Sequence, residues 1–143
     1  MQTVRQLLAT KSPEIHAVAP QAAVIDAIRL MAEKGIGAVL VMDGPRLAGI
    51  LSERDYARKI VLRDRSSRDT EVAAIMTGTV VTVAPTATVE DCLQLVTERR
   101  IRHLPVVEEG KVAGVISIGD LVKAVIEQQR QELGQLQQYI VGG

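Results

Sequence analysis

Aromatic side chains are almost missing from this chain: two Tyr, no Phe and no Trp among 143 residues. Its core must therefore be built from Val, Ile, Leu, Ala and Met, and the stacking platforms that hold single-stranded nucleic acid are lacking. Cysteine is represented once, by Cys92, so neither an internal disulfide nor a cysteine-based metal cluster is expected. An excess of either charge is missing as well: 17 Lys and Arg face 17 Asp and Glu, so no global field recruits nucleic acid or anionic lipid. No apolar run approaches 18 residues, and Met1-Gln2-Thr3-Val4-Arg5 opens no apolar signal segment. The expectation is a cytoplasmic protein with no nucleic-acid and no membrane partner. Also missing are a Walker loop, zinc-ligand spacing, recognisable paired catalytic carboxylates and a Cys–His dyad, which argues against an enzyme. What is there is a hydrophobic content of 47%, enough for a folded core, in a length suited to one compact domain or two small fused repeats.

The dominant positive signal is internal repetition. Gly49-Ile50-Leu51-Ser52-Glu53-Arg54-Asp55 returns 65 residues later as Gly114-Val115-Ile116-Ser117-Ile118-Gly119-Asp120, and residues 18–60 align on 83–125 without a gap, with fourteen identities in 43 positions. Chance would match roughly one position in fifteen. In each copy the apolar pair ends a buried strand, the serine stands at a helix N-cap and the aspartate at the third helical position. A serine oxygen accepts a free backbone N–H there, and an acid in the first turn suits the helix dipole.

Each repeat parses as strand, helix, strand, strand, helix. An extended piece ends at Pro20 or Pro85, because the residue before proline is pushed out of helical space. Val24, Ala27, Ile28 and Met31 then fall at helical spacing, as do Val89, Cys92, Leu93 and Val96, which makes Cys92 a core residue rather than a redox thiol. Thr88 and Asp91 form a capping pair. Strands follow over Ala38–Met42 and Leu104–Val107, then, after the turns at Asp43-Gly44-Pro45 and Glu109-Gly110, over Leu47–Leu51 and Val112–Ile116. A looser prelude, Val4–Leu8 and again Val72–Met76, reads as a short helical turn. The boundaries expected are 1–65 for the first repeat with its N-terminal lead-in, 66–128 for the second with its linker, and 129–143 for a C-terminal helix extension. Residues 63–70, mixed in sign, read as a solvated crossing. The last helix starts near Asp120 and runs to about Ile140, with Val122, Val125, Ile126, Gln129, Leu133, Leu136 and Ile140 in one stripe. That stripe either covers the N-terminal region or packs on a second chain.

The paired Gly-h-h-Ser-x-x-Asp corners (h, apolar), each preceded by β-α-β-β, resemble tandem CBS domains, the Bateman module, over about residues 3–130. Ile101-Arg102-His103-Leu104-Pro105-Val106 is also typical of that family. The resemblance implies an α+β fold in which two β-α-β-β-α repeats, short sheets flanked by helices, pack with pseudo-twofold symmetry and leave two clefts. It implies an adenine nucleotide as ligand: AMP, ADP, ATP or NAD. The ribose contacts carry to Asp55 and Asp120, with Ser52 and Ser117 beside the sugar or phosphate and Gly119 within the second corner. Arg102 and His103, ahead of Pro105, take the phosphate-meeting positions. The first repeat has Gly37 and Ala38 there, so any phosphate contacts in that repeat come from elsewhere, such as Arg54 or Arg58. Ile15-His16-Ala17 and Thr79-Val80-Val81 take the place of backbone contacts to the base, which singles out His16, Thr79 and Val81.

An ionised aspartate accepts both hydroxyls of a ribose diol, and Arg102 and His103 supply donors for phosphate. Each Ser/Asp pair is equally a plain capping box, and the two roles are compatible. The Arg54/Arg58/Lys59 group reads as a solvated helix face, with a phosphate clamp as the alternative. Two functions follow: an adenine-nucleotide sensor that needs no metal and signals energy or redox state to a regulated partner, or a dimerising scaffold without a physiological ligand. In both the chain is expected to be a homodimer.

Overall fold

The computed structural model describes residues 2–142, and the side chains of 141 and 142 lie outside that description. The elements run α1 (Val4–Leu8), β1 (Ala17–Val18), α2 (Val24–Lys34), β2 (Ala38–Asp43), β3 (Arg46–Ser52), α3 (Glu53–Tyr56), a π-turn (Ala57–Val61), a 3-10 turn (Val72–Ala74), α4 (Val89–Arg99), β4 (His103–Glu108), β5 (Lys111–Ser117) and α5 (Ile118–Gly142). This is an α+β chain of two repeats with short sheets flanked by helices. The strands sit within one residue of the expected spans at either end. The chain divides into two compact units. One holds Glu14–Val81 with Glu109–Val112; the other holds Met1–Pro13, Thr82–Glu108 and Ala113–Gly143.

In the unit built on the first repeat, β1 runs parallel to β2, and β2 antiparallel to β3, in the order β1-β2-β3. The second to fourth residues of β2, Val39, Leu40 and Val41, are all buried, as a strand covered on both faces requires. The apolar stripe of α2 buries Val24, Ala27 and Met31 in a cluster with Val39, Val41, Leu51, Ile60, Val72 and Ile75. Helix α2 has no side-chain cap at Ala23. Its first amides donate instead to linker carbonyls, Val24 N–H to Thr70 O and Ile25 N–H to Ser67 O, each at 2.9 Å. The linker is thus solvated only in part. Residues 63–66, Arg68 and Asp69 are exposed, but Thr70 is buried, because its carbonyl closes a helix end that would otherwise keep orphan donors.

In the other unit, Thr88 and Asp91 form the expected reciprocal cap of α4. That helix buries Val89, Cys92 and Val96, and burial, with the neighbouring Asp91 charge, pushes the Cys92 thiol up. Strand β4 repeats the burial pattern of β2 position for position. The counterpart of β1 shrinks to a single bridge, Val83 with Val106. Pro105 explains this. Leu40 donates its N–H to His16 O at 3.1 Å, whereas Pro105, at the matching position, has no N–H to give.

The N-terminal stretch groups with the second repeat, not with the repeat it precedes, and Val72–Ala74 groups with the first. The two corner glycines carry the arrangement. A Cβ at Gly114 would lie 2.8 Å from Leu8 Cδ2, and one at Gly49 would lie 2.6 Å from Met76 Sδ and 2.8 Å from Thr77 O. Each prelude therefore seats an apolar side chain on a bare patch of the last strand of the unit it joins. Ile50 and Thr77 also exchange two backbone hydrogen bonds.

Helix α5 spans 25 residues, roughly 37 Å at 1.5 Å per residue. Leu121 and Ala124 are buried, but Val122, Ile126, Leu133, Leu136, Tyr139 and Ile140 are exposed, so the described residues do not cover the stripe. No helix among the described residues is long and apolar enough to cross a membrane.

Candidate functional site

The two strand-to-helix corners are assembled alike. The N–H of the first helical residue donates to the carbonyl just before or at the start of the repeat's first hairpin strand: Glu53 to Gly37 O at 3.0 Å, Ile118 to Arg102 O at 2.8 Å. The N-cap serine oxygen accepts the N–H of the aspartate, at 3.2 Å in both Ser52/Asp55 and Ser117/Asp120. The aspartate reaches back to the serine N–H, at 3.0 Å from Asp55 Oδ2 and 2.8 Å from Asp120 Oδ2. Three of the four orphan donors of a helix start are thereby satisfied inside the protein.

A lysine completes each corner. Lys59 Nζ lies 3.3 Å from Asp55 Oδ1 and donates to Ile75 O at 2.9 Å. Lys11 Nζ lies 2.6 Å from Asp120 Oδ2 and donates to Val115 O at 2.7 Å. Both aspartates are half-buried. Burial alone pushes the Asp120 carboxyl up, but the Lys11 hydrogen bond, the Ser117 N–H and the Lys11 charge together outweigh it and hold the group below its ordinary value. At Asp55, Thr77 Oγ1 adds a longer contact to Oδ1 at 3.4 Å, and Ser52 Oγ lies 3.1 Å from Oδ2.

Lys59 corrects one expectation. It is not part of a solvated face with Arg54 and Arg58, since the turn it sits in brings it back over Asp55 and the Ile75 carbonyl. Lys11 carried no signal in the sequence: the position matching Lys59 in the second repeat is Ala124, and Lys11 lies 109 residues from Asp120. Only the pairing of α1 with the second repeat delivers it.

The remaining expected residues divide between the units. His16, Thr79, Val81 and Arg54 belong with Ser52 and Asp55. Arg102, His103, Pro105 and Gly119 belong with Ser117 and Asp120. The His16 carbonyl accepts from Leu40, and its ring lies 3.5 Å from Glu14. Arg102 is exposed and serves the corner through its carbonyl. Pro105 is buried, with its carbonyl accepting from Val83 at 3.1 Å. His103 is half-buried at the start of β4, Thr79 is exposed and Val81 is half-buried. Gly119, in the first turn of α5, has room for a Cβ, with Ser117 Oγ no nearer than 3.6 Å. Among the described residues, no group of three or more His, Cys, Asp or Glu is placed to hold a metal ion.

The arrangement is that of a recognised family. The CBS domain model matches twice, over residues 4–62 and 72–127, and the chain belongs to the CBS-domain family. It is similar to a candidate signal-transduction protein with CBS domains from Burkholderia ambifaria: 54% identity over 90% of this chain and 96% of that one, TM-score 0.87. It is 44% identical over 125 residues to the mitochondrial CBS domain-containing protein CBSX3 of Arabidopsis thaliana, covering 84% of this chain but only 61% of that relative's length. A hexameric CBS-CP12 protein from bloom-forming cyanobacteria has the same fold at 27% identity and TM-score 0.74, over 85% of this chain and 70% of that one.

Proposed function

We propose that this chain is a non-enzymatic regulatory module whose Ser-x-x-Asp corners hold the ribose of an adenine nucleotide. AMP is the foremost ligand, with ADP, ATP and NAD as members of the same class, and no metal is required. The observation that carries the reading is the pair of caps: each aspartate is fixed by its own serine and accompanied by a lysine, so a carboxylate for hydroxyls and a cation for phosphate stand side by side twice in one chain. Membership of the CBS family supports it, as does the signal-transduction description of the Burkholderia relative. Occupancy would reach a regulated partner only if the ligand binds two states of the module unequally. A cytoplasmic setting belongs to the same proposal.

Titration calorimetry against AMP, ADP, ATP and NADH tests it. Saturable heat with at least one is expected; none at millimolar concentration would favour the second reading, a dimerising scaffold without a physiological ligand. That reading draws on the uncovered stripe of α5, from Val122 to Ile140. We also place a homodimer contact on this stripe in either case, a step for which the hexameric cyanobacterial relative gives precedent in the family. Light scattering at micromolar concentration should report twice the 15.4 kDa of one chain; a single-chain mass would contradict it.

A further inference from the structure

We propose that Lys11 makes the Ser117/Asp120 corner selective for a phosphorylated ribose over the bare nucleoside. The inference rests on the nucleotide reading above and names the residue that sets its ligand class. An ammonium group has three donors. Among the described residues two of those on Lys11 are committed, to Asp120 Oδ2 and Val115 O, which leaves the third for an acceptor that the ligand brings. Both the Lys11 and the Ser117 N–H contacts fall on Oδ2 of Asp120, so a sugar hydroxyl can address Oδ1 while the lysine keeps its place. At the sister corner the contacts are spread over both oxygens, Oδ2 toward Ser52 and Oδ1 toward Lys59 and Thr77.

Charge supplies the selectivity. A half-buried aspartate alone repels a phosphate carried on the same sugar. Lys11, at 2.6 Å, cancels that charge locally and attracts the anion. An uncharged riboside gains nothing from it. The second repeat has alanine, Ala124, where the first has Lys59, so at this corner the cation comes from the N-terminal stretch.

The experiment is calorimetry of adenosine and AMP with the full chain and with Lys11→Met, Lys11→Arg and Lys123→Met, the last removing an exposed positive charge on α5. The chain should prefer AMP to adenosine. Lys11→Met should weaken AMP about tenfold, the effect of losing one charge-assisted hydrogen bond, and adenosine less than about twofold on the same scale. Lys11→Arg should restore most of the AMP affinity, and Lys123→Met should follow the parent. Should Lys11→Met not fold, the AMP-to-adenosine ratio of Lys11→Gln serves in its place. Equal weakening of both ligands would make Lys11 a support of the corner, and tightening of both would make it a plug; either overturns the inference and leaves the nucleotide reading standing. Absence of binding by the parent chain to both ligands would overturn the two together.

Discussion

The corner at Asp55 and the corner at Asp120 use the same cap and a glycine at the same place in the preceding strand, yet they recruit their lysines from opposite directions. Lys59 comes from the π-turn that continues α3, four residues after its aspartate. Lys11 comes from the stretch after α1, at the far end of the chain. In both, the ammonium bridges the carboxylate to a backbone carbonyl, Ile75 O in one and Val115 O in the other. One Lys–Asp–carbonyl arrangement is thus reached by two unrelated routes. The routes also differ in consequence. A lysine held on the helix of its own corner moves with that corner, whereas a lysine on the N-terminal stretch ties the corner to α1.

That contrast can be broken experimentally, beginning with the glycines. Gly49→Ala drives a Cβ against the Thr77 carbonyl, which is backbone, as well as against Met76; overpacking of this kind should cost about 2–3 kcal/mol in denaturant unfolding. Gly114→Ala meets the flexible end of Leu8 and should cost less, about 1 kcal/mol. An equal cost would mean that the two preludes are seated with equal tolerance. Ser117→Ala and Ser52→Ala each remove one N-cap, and each should lower stability by about 1 kcal/mol. A smaller loss at Ser52 would show that the bond from Ser52 Oγ to Asp55 is weak.

The smallest effect is expected from pH. The folded Asp120 carboxyl lies below its ordinary value, so its contribution is present at pH 7, above the unfolded aspartate value of about 3.9, and fades as pH falls through the lower folded value. Lys11→Met should therefore reduce stability by about 1 kcal/mol or less at neutral pH, the pair being partly exposed. The gap to the parent chain should close once pH has fallen through the depressed folded value. A gap that persists in acid would assign the effect to lost packing of the lysine stem.

The repeat, its element order and both serine–aspartate corners were legible in the sequence, because periodicity and capping are local chemistry and the duplication wrote each of them twice. Thr88 with Asp91 and the burial of Cys92 followed from the same local rules. The partnership of α1 with the second repeat was not legible. Val4–Leu8 and Val72–Met76 look alike, and the glycines that receive them are identical, so either prelude suits either strand and contiguity does not show which unit each prelude joins. Lys11 was hidden by the same ambiguity. The loss of β1's counterpart could have been foreseen from Pro105, a proline placed where the first repeat donates an N–H. The backbone role of the linker at Ser67 and Thr70 could not, since a carbonyl leaves no mark on composition.

The nucleotide reading stands or falls with the carboxylates. AMP binding by the parent chain should be compared with that of Asp120→Asn and Asp55→Asn, with melting temperature recorded alongside. The account predicts that replacing one acceptor oxygen by an amide at Asp120 weakens AMP at least about tenfold while the chain stays folded. Unchanged AMP affinity in both variants, with only the melting temperature lowered, would show that the aspartates cap helices and bind no sugar.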